Sequence, residues 1–188
     1  MNALLPPLVA AFLAEWGDKT QLLAVMLSIR FRRTRAVLAG IVLAAFLNSL
    51  AAAFAGSLIS DLLTFRALTL MAAVALVFAG VGGLLPQKAP KLHTQGTGGV
   101  VLASFFAFAV LEFGDKTQFI TTTLAARSDS IWLAGIGATA GIVAANAPAV
   151  LIAERFSTTV PLRPIRAVAG VILLSAGMII ALGALRLI

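Results

Sequence analysis

Four stretches of this chain run without a charged side chain for about the depth of a hydrocarbon layer: Ala36 to Ser60, Ala67 to Gln87, Ser130 to Ala153 and Ala167 to Leu185. A helix needs roughly 20 apolar residues to cross a bilayer, about twice what a barrel strand needs. None of the stretches alternates with period two, so helices are expected. Composition agrees: 61% of the residues are hydrophobic and 11% charged, whereas soluble domains are about a quarter charged. Two further apolar segments, about Leu4 to Ile29 and about Gly99 to Ala126, bring the expected spans to six and leave little chain for a soluble domain. The start, MNALLPPLVAAFLAE, has no basic region, so no cleavable signal is expected. Without cysteine the chain has neither disulfides nor thiolate metal ligands.

The last two segments carry charge at their centres. AEWGDKTQ at Ala14 to Gln21 returns as LEFGDKTQ at Leu111 to Gln118, and more recurs with it. Arg30 and Arg127 close the two segments, Asn48 and Asn146 lie midway along the next ones, and FRAL at Phe65 to Leu68 matches IRAV at Ile165 to Val168. The expected fold is therefore an all-α membrane protein of six transmembrane helices, built as two inverted three-helix repeats. Residues 1–85 form the first repeat, 86–98 a linker and 99–188 the second. With three spans per copy the second copy enters from the opposite face, which brings equivalent residues together near the midplane.

That meeting accounts for the charges. Glu15, Asp18 and Lys19 fall on one side of a helix, as do Glu112, Asp115 and Lys116. An ionised group at mid-depth costs about 2.5 to 3.5 kcal/mol, so six of them are expected to face one another and not lipid. Gly17 and Gly114 are places where the helix can loosen. Four carboxylates and two ammonium groups sum to a formal −2, which one divalent cation cancels. Oxygen ligands from Glu15, Asp18, Glu112 and Asp115, with the amides of Gln21 and Gln118 and the hydroxyls of Thr20 and Thr117, suit hard ions such as Mn²⁺, Ca²⁺ or Mg²⁺. Lys19 and Lys116 read as counter-ions, and Asn48 and Asn146 as polar support. The rival structural reading has the Asp–Lys and Glu–Lys pairs neutralising themselves to lock two helices together. The single histidine, His93, falls in the linker and reads as a solvated loop residue.

The net charge of +7 is a matter of topology. Nine bases lie after the odd-numbered spans: Arg30, Arg32, Arg33, Arg35, Lys88, Lys91, Arg155, Arg163 and Arg166. The alternate side has three, Arg66, Arg127 and Arg186. The positive-inside rule places the nine in the cytoplasm and both termini outside it. Nucleic acid is not an expected partner; a divalent metal ion and the lipid bilayer are, and no obligate protein partner is inferred.

The doubled octet resembles the signature E-x-G-D-[KR]-[ST] of the transmembrane-protein-165-like cation exchangers, which include bacterial manganese exporters and Golgi calcium/manganese transporters. Glu15 to Thr20 and Glu112 to Thr117 both match it throughout. The resemblance implies export of a divalent cation, Mn²⁺ ahead of Ca²⁺, in exchange for protons, with Glu15, Asp18, Glu112 and Asp115 at the ion site and Thr20 and Thr117 as further candidates. It implies a transporter, not an enzyme, with no resident cofactor. The short start and the lysines of the central loop point to a bacterial plasma membrane. Two other readings share the residues: a passive divalent-cation channel, and an intramembrane aspartyl protease using Asp18 and Asp115. Against the protease, the chain has no tyrosine for the Tyr-Asp motif and only Pro148-Ala149-Val150 in place of Pro-Ala-Leu.

Overall fold

The computed structural model describes residues 3–87, 90 and 99–187, and among these every regular element is a helix. Most of the 86–98 linker, including Lys88, Lys91 and His93, lies outside the described residues. Four helices have the length and apolarity to cross a membrane: α3 (Thr34–Ser60), α4 (Phe65–Leu84), α7 (Ile131–Leu151) and α9 (Leu162–Leu185). They coincide with the four uncharged stretches. The remaining helices are shorter: α1 (Leu5–Glu15), α2 (Lys19–Phe31), α5 (Gly99–Glu112), α6 (Lys116–Ala125) and α8 (Ala153–Thr159).

The segments expected as continuous spans at Leu4 to Ile29 and Gly99 to Ala126 are thus each broken in two, inside the octet. Gly17 and Gly114 both adopt φ +73°, outside the right-handed helix, where an L residue pays roughly 1–2 kcal/mol. Asp18 and Asp115 follow with extended backbone as the N-caps of α2 and α6. Three residues on, Gln21 Oε1 accepts the Gly17 N–H at 2.8 Å, and Gln118 Oε1 accepts the Gly114 N–H at 2.8 Å, so freed backbone donors find partners without water. The single helical stripe expected for Glu, Asp and Lys is corrected accordingly. Glu15 ends one helix and Asp18 and Lys19 begin the next. At 1.5 Å per residue, the 11 residues of α1 reach only about 17 Å, so the break lies well inside an apolar layer.

Packing relies on small residues, as it must where lipid is as apolar as leucine. α1 lies against α7, where a Cβ on Gly137 or Gly141 would collide with the carbonyls of Leu4 or Leu8. Its counterpart α5 lies against α3, where a Cβ on Gly40 would stand 2.5 Å from the Val101 carbonyl. α4 and α9 pair through Gly80, Gly83 and Gly170. The outward faces carry Phe54, Phe65, Phe78, Val110, Phe113, Trp132 and Ile179, all well exposed. That apolar exterior fits lipid.

Candidate metal site

The two breaks meet. Lys19 Nζ lies 2.7 Å from Asp115 Oδ1, and Lys116 Nζ lies 2.5 Å from Asp18 Oδ1 and 3.8 Å from Asp115 Oδ2. Each octet's lysine therefore pairs with the other octet's aspartate, the reciprocal pattern that a two-fold relation between equivalent surfaces produces. Such crossed pairs are also what the rival structural reading, ion pairs that lock the two octet segments together, calls for; what it leaves over are the buried carboxylates of Glu15 and Glu112, which have no ion-pair partner within 4 Å among the described residues. Carboxylate oxygens of Glu15, Asp18 and Asp115 come within 4.8 Å of one another, close enough for one ion to touch all three.

Beyond the reciprocal pairs the two halves differ. Glu15 is fully buried and accepts hydrogen bonds from the Thr20 hydroxyl at 2.5 Å, the Thr117 hydroxyl at 2.6 Å and Asn146 Nδ2 at 3.3 Å. Glu112 is equally buried, but neither of its oxygens has a hydrogen-bond partner among the described residues. Asn146 reaches the site, whereas Asn48 donates to the Ala109 carbonyl on α5 at 3.1 Å. Gln21 is used twice by the scaffold, accepting from Gly17 and donating through Nε2 to the Ala145 carbonyl at 2.5 Å. Of the residues singled out by sequence, the structure gathers Glu15, Asp18, Lys19, Thr20, Asp115, Lys116, Thr117 and Asn146 into direct contact; Gln21, Gln118 and Asn48 bond to the surrounding frame, and Glu112 is buried with no hydrogen bond or ion pair among the described residues.

An unpaired buried carboxylate is costly, so Glu112 and the unpartnered Asp18 Oδ2 are the atoms with most to gain from a cation or proton. All these donors are hard oxygens, and three carboxylates on one ion leave coordination positions for hydroxyl, amide or water oxygens. The donor set suits a hard dication and offers a soft one nothing.

Sequence reasoning read Arg166 only as a topological charge. In the structure its Nε donates to the Gly83 carbonyl at 3.0 Å and its Nη1 to the Gly17 carbonyl at 3.5 Å, tying α9 to the ends of α4 and α1. The signal was present in the recurrence of FRAL as IRAV.

Comparison with known proteins identifies the family. The chain is 37% identical over 178 residues to a protein named "Putative manganese exporter" from Vibrio cholerae serotype O1 (strain ATCC 39541 / Classical Ogawa 395 / O395), covering 94% of this chain and 89% of that one. No solved structure matches it significantly. The profile described as "Divalent cation/proton antiporter GDT1" matches residues 3–91 and 100–187, one segment for each octet. With nearly its whole length matched, the chain belongs to the GDT1 divalent cation/proton antiporter family and is a transporter, not an enzyme.

Proposed function

We propose that this protein exports a divalent cation, Mn²⁺ above Ca²⁺, in exchange for protons, through one site built from both octets. The observation that carries this reading is the crossed pairing of Lys19 with Asp115 and Lys116 with Asp18 around carboxylates that lie within 4.8 Å of one another. In the proposed architecture α1 with α2 and α5 with α6 are broken spans, and with α3, α4, α7 and α9 they make six. The second three are inverted relative to the first. The excess of basic residues on one side then puts Arg33 and Arg163 in the cytoplasm of a bacterium and both termini outside its plasma membrane.

The chemistry follows from charge. Glu15, Asp18, Glu112 and Asp115 bind metal only as carboxylates, so protons and metal compete for the same oxygens. The lysines pair with Asp18 and Asp115 while the site is empty and must withdraw for a dication to take their place. Because the acids are close-set, the protons taken up belong to the cluster and not to one residue. A site that loads metal facing the cytoplasm, loses it to a more acidic exterior and returns protonated moves protons inward for each ion expelled. Manganese is placed above calcium by the name of the relative.

The test is flux in proteoliposomes of the purified chain. A pH gradient is expected to drive Mn²⁺ towards the acidic side, and a Mn²⁺ gradient to move protons the other way with no other ion present. Flux that follows the metal gradient alone in a charge-clamped membrane would identify a channel.

A further inference from the structure

The two octets have the same local backbone and nearly the same letters, yet their surroundings are opposite. Gly17 is buried under the start of α9: a Cβ there would stand 2.7 Å from Arg166 Cβ and 2.8 Å from the Leu162 carbonyl. Gly114 is exposed, and among the described residues nothing lies within 4 Å of where its Cβ would be. Arg166 bridges the carbonyls of Gly17 and Gly83. Its counterpart Arg66 occupies the same place in FRAL, and Gly183 stands as far beyond Arg166 as Gly83 beyond Arg66. Arg66 is exposed, and among the described residues nothing lies within 4 Å of where a Cβ on Gly183 would be. The aspartates follow the same division: Asp18 is 1% exposed, whereas Asp115 is 14% exposed and lines a gap with Val74, Phe78, Gly114, Lys116 and Phe119. The lysines, each reaching across to the other octet's aspartate, take the reverse order, Lys19 at 29% and Lys116 at 9%.

We infer that Arg166 and Arg66 are alternate latches of the transport cycle: Arg166 closes the site on its side of the membrane by bridging Gly17 and Gly83, and Arg66 closes the other by bridging Gly114 and Gly183. The structure is then the state with the first latch shut and the second open. The inference rests on the transporter reading and names what holds each state. A guanidinium suits the task because its planar fork serves two carbonyls at once and stays charged. Both carbonyls on the shut side come from interrupted or ending helices, Gly17 at the break after α1 and Gly83 beside the last residue of α4, where backbone acceptors lack helical partners. Glycine at these places lets the arginine stem approach the backbone, and Gly114 and Gly183 keep the same access for Arg66. Neither latch touches the carboxylates, so both are positioning residues that act on which state is populated.

The absence of cysteine makes distance measurement direct. Spin-label pairs at 22 and 163 span the Arg166 side, where Leu22 and Arg163 line a common recess; their counterparts Phe119 and Leu63 span the other side. In bilayers the unmodified chain is expected to show the first pair close and the second apart. Arg166→Ala, which deletes two charge-assisted hydrogen bonds, should shift the ratio of the two states at least about tenfold, lengthening 22–163 and shortening 63–119 together. Arg66→Ala should do the reverse, erasing any short 63–119 component. Both should slow Mn²⁺ flux while leaving Mn²⁺ affinity in detergent within about threefold of the parent. Should Arg166→Ala not insert, Arg166→Lys carries the test with a smaller shift of the same sign. Distances that stay put, or that both lengthen, overturn the latch even if flux is normal; a parent chain with neither flux nor Mn²⁺ binding overturns the transporter reading instead.

Discussion

Lys116→Met tests whether the lysines stand in for the transported ion. Lys116 Nζ is 2.5 Å from Asp18 Oδ1, with the side chains 9% and 1% exposed. At an effective dielectric of about 20 the gross attraction of such a pair is about 7 kcal/mol, and removing one partner of a buried pair costs about 3–5 kcal/mol net. The formal charge of the cluster falls from −2 to −3. Lys19→Met makes the same change in charge, but Lys19 is 29% exposed, and screening reduces its loss to about 1 kcal/mol. Thermal unfolding in detergent is therefore expected to show Lys116→Met melting well below Lys19→Met without metal. Mn²⁺ should then rescue it, because a dication supplies the missing positive charge next to Asp18. The Mn²⁺-induced rise in melting temperature should be larger in Lys116→Met than in the parent chain, and Mn²⁺ affinity at least about tenfold higher, a gain of about 1.4 kcal/mol. Turnover should fall, since a site without its substitute cation releases metal slowly. Equal melting temperatures for the two variants, or an unchanged Mn²⁺ shift in Lys116→Met, would refute the account.

Asp18→Asn and Asp115→Asn should each abolish Mn²⁺ flux while the protein still inserts, because each aspartate serves the other octet's lysine; near-normal flux in either would mean two independent sites. Gly17→Ala and Gly114→Ala both force an L residue to φ +73°, at roughly 1–2 kcal/mol, but only Gly17→Ala also meets Arg166 and Leu162, so it should lower the melting temperature more. Labelling of single cysteines with an impermeant reagent in whole cells should reach positions 61 and 129 from outside and position 33 only after permeabilisation; labelling of 33 and 61 from the same side would remove the proposed topology.

Much of this protein is decided locally. An uncharged run the length of the hydrocarbon layer has one stable backbone solution, a helix with its hydrogen bonds made internally, so α3, α4, α7 and α9 were legible before any packing was known. The octet is also a local instruction, since Gly17 and Gly114 release the helix, Asp18 and Asp115 cap the next one, and Gln21 and Gln118 satisfy the freed N–H groups. Sequence allowed the break at these glycines without requiring it, because a glycine adopts a helical φ as readily as a positive one. The mutual pairing of the octets could be anticipated from the cost of charge in lipid, but not its crossed form, for an Asp and Lys adjacent in sequence look equally able to pair at home. Least legible was the inequality between the halves. Near-identical octets cannot encode, among the described residues, Glu15 with three donors and Glu112 with none, or a buried Gly17 and an open Gly114. Among the described residues the start of α9 covers the first break and nothing comparable covers the second, a difference set by which helices pack over each octet and not by the octets' own letters.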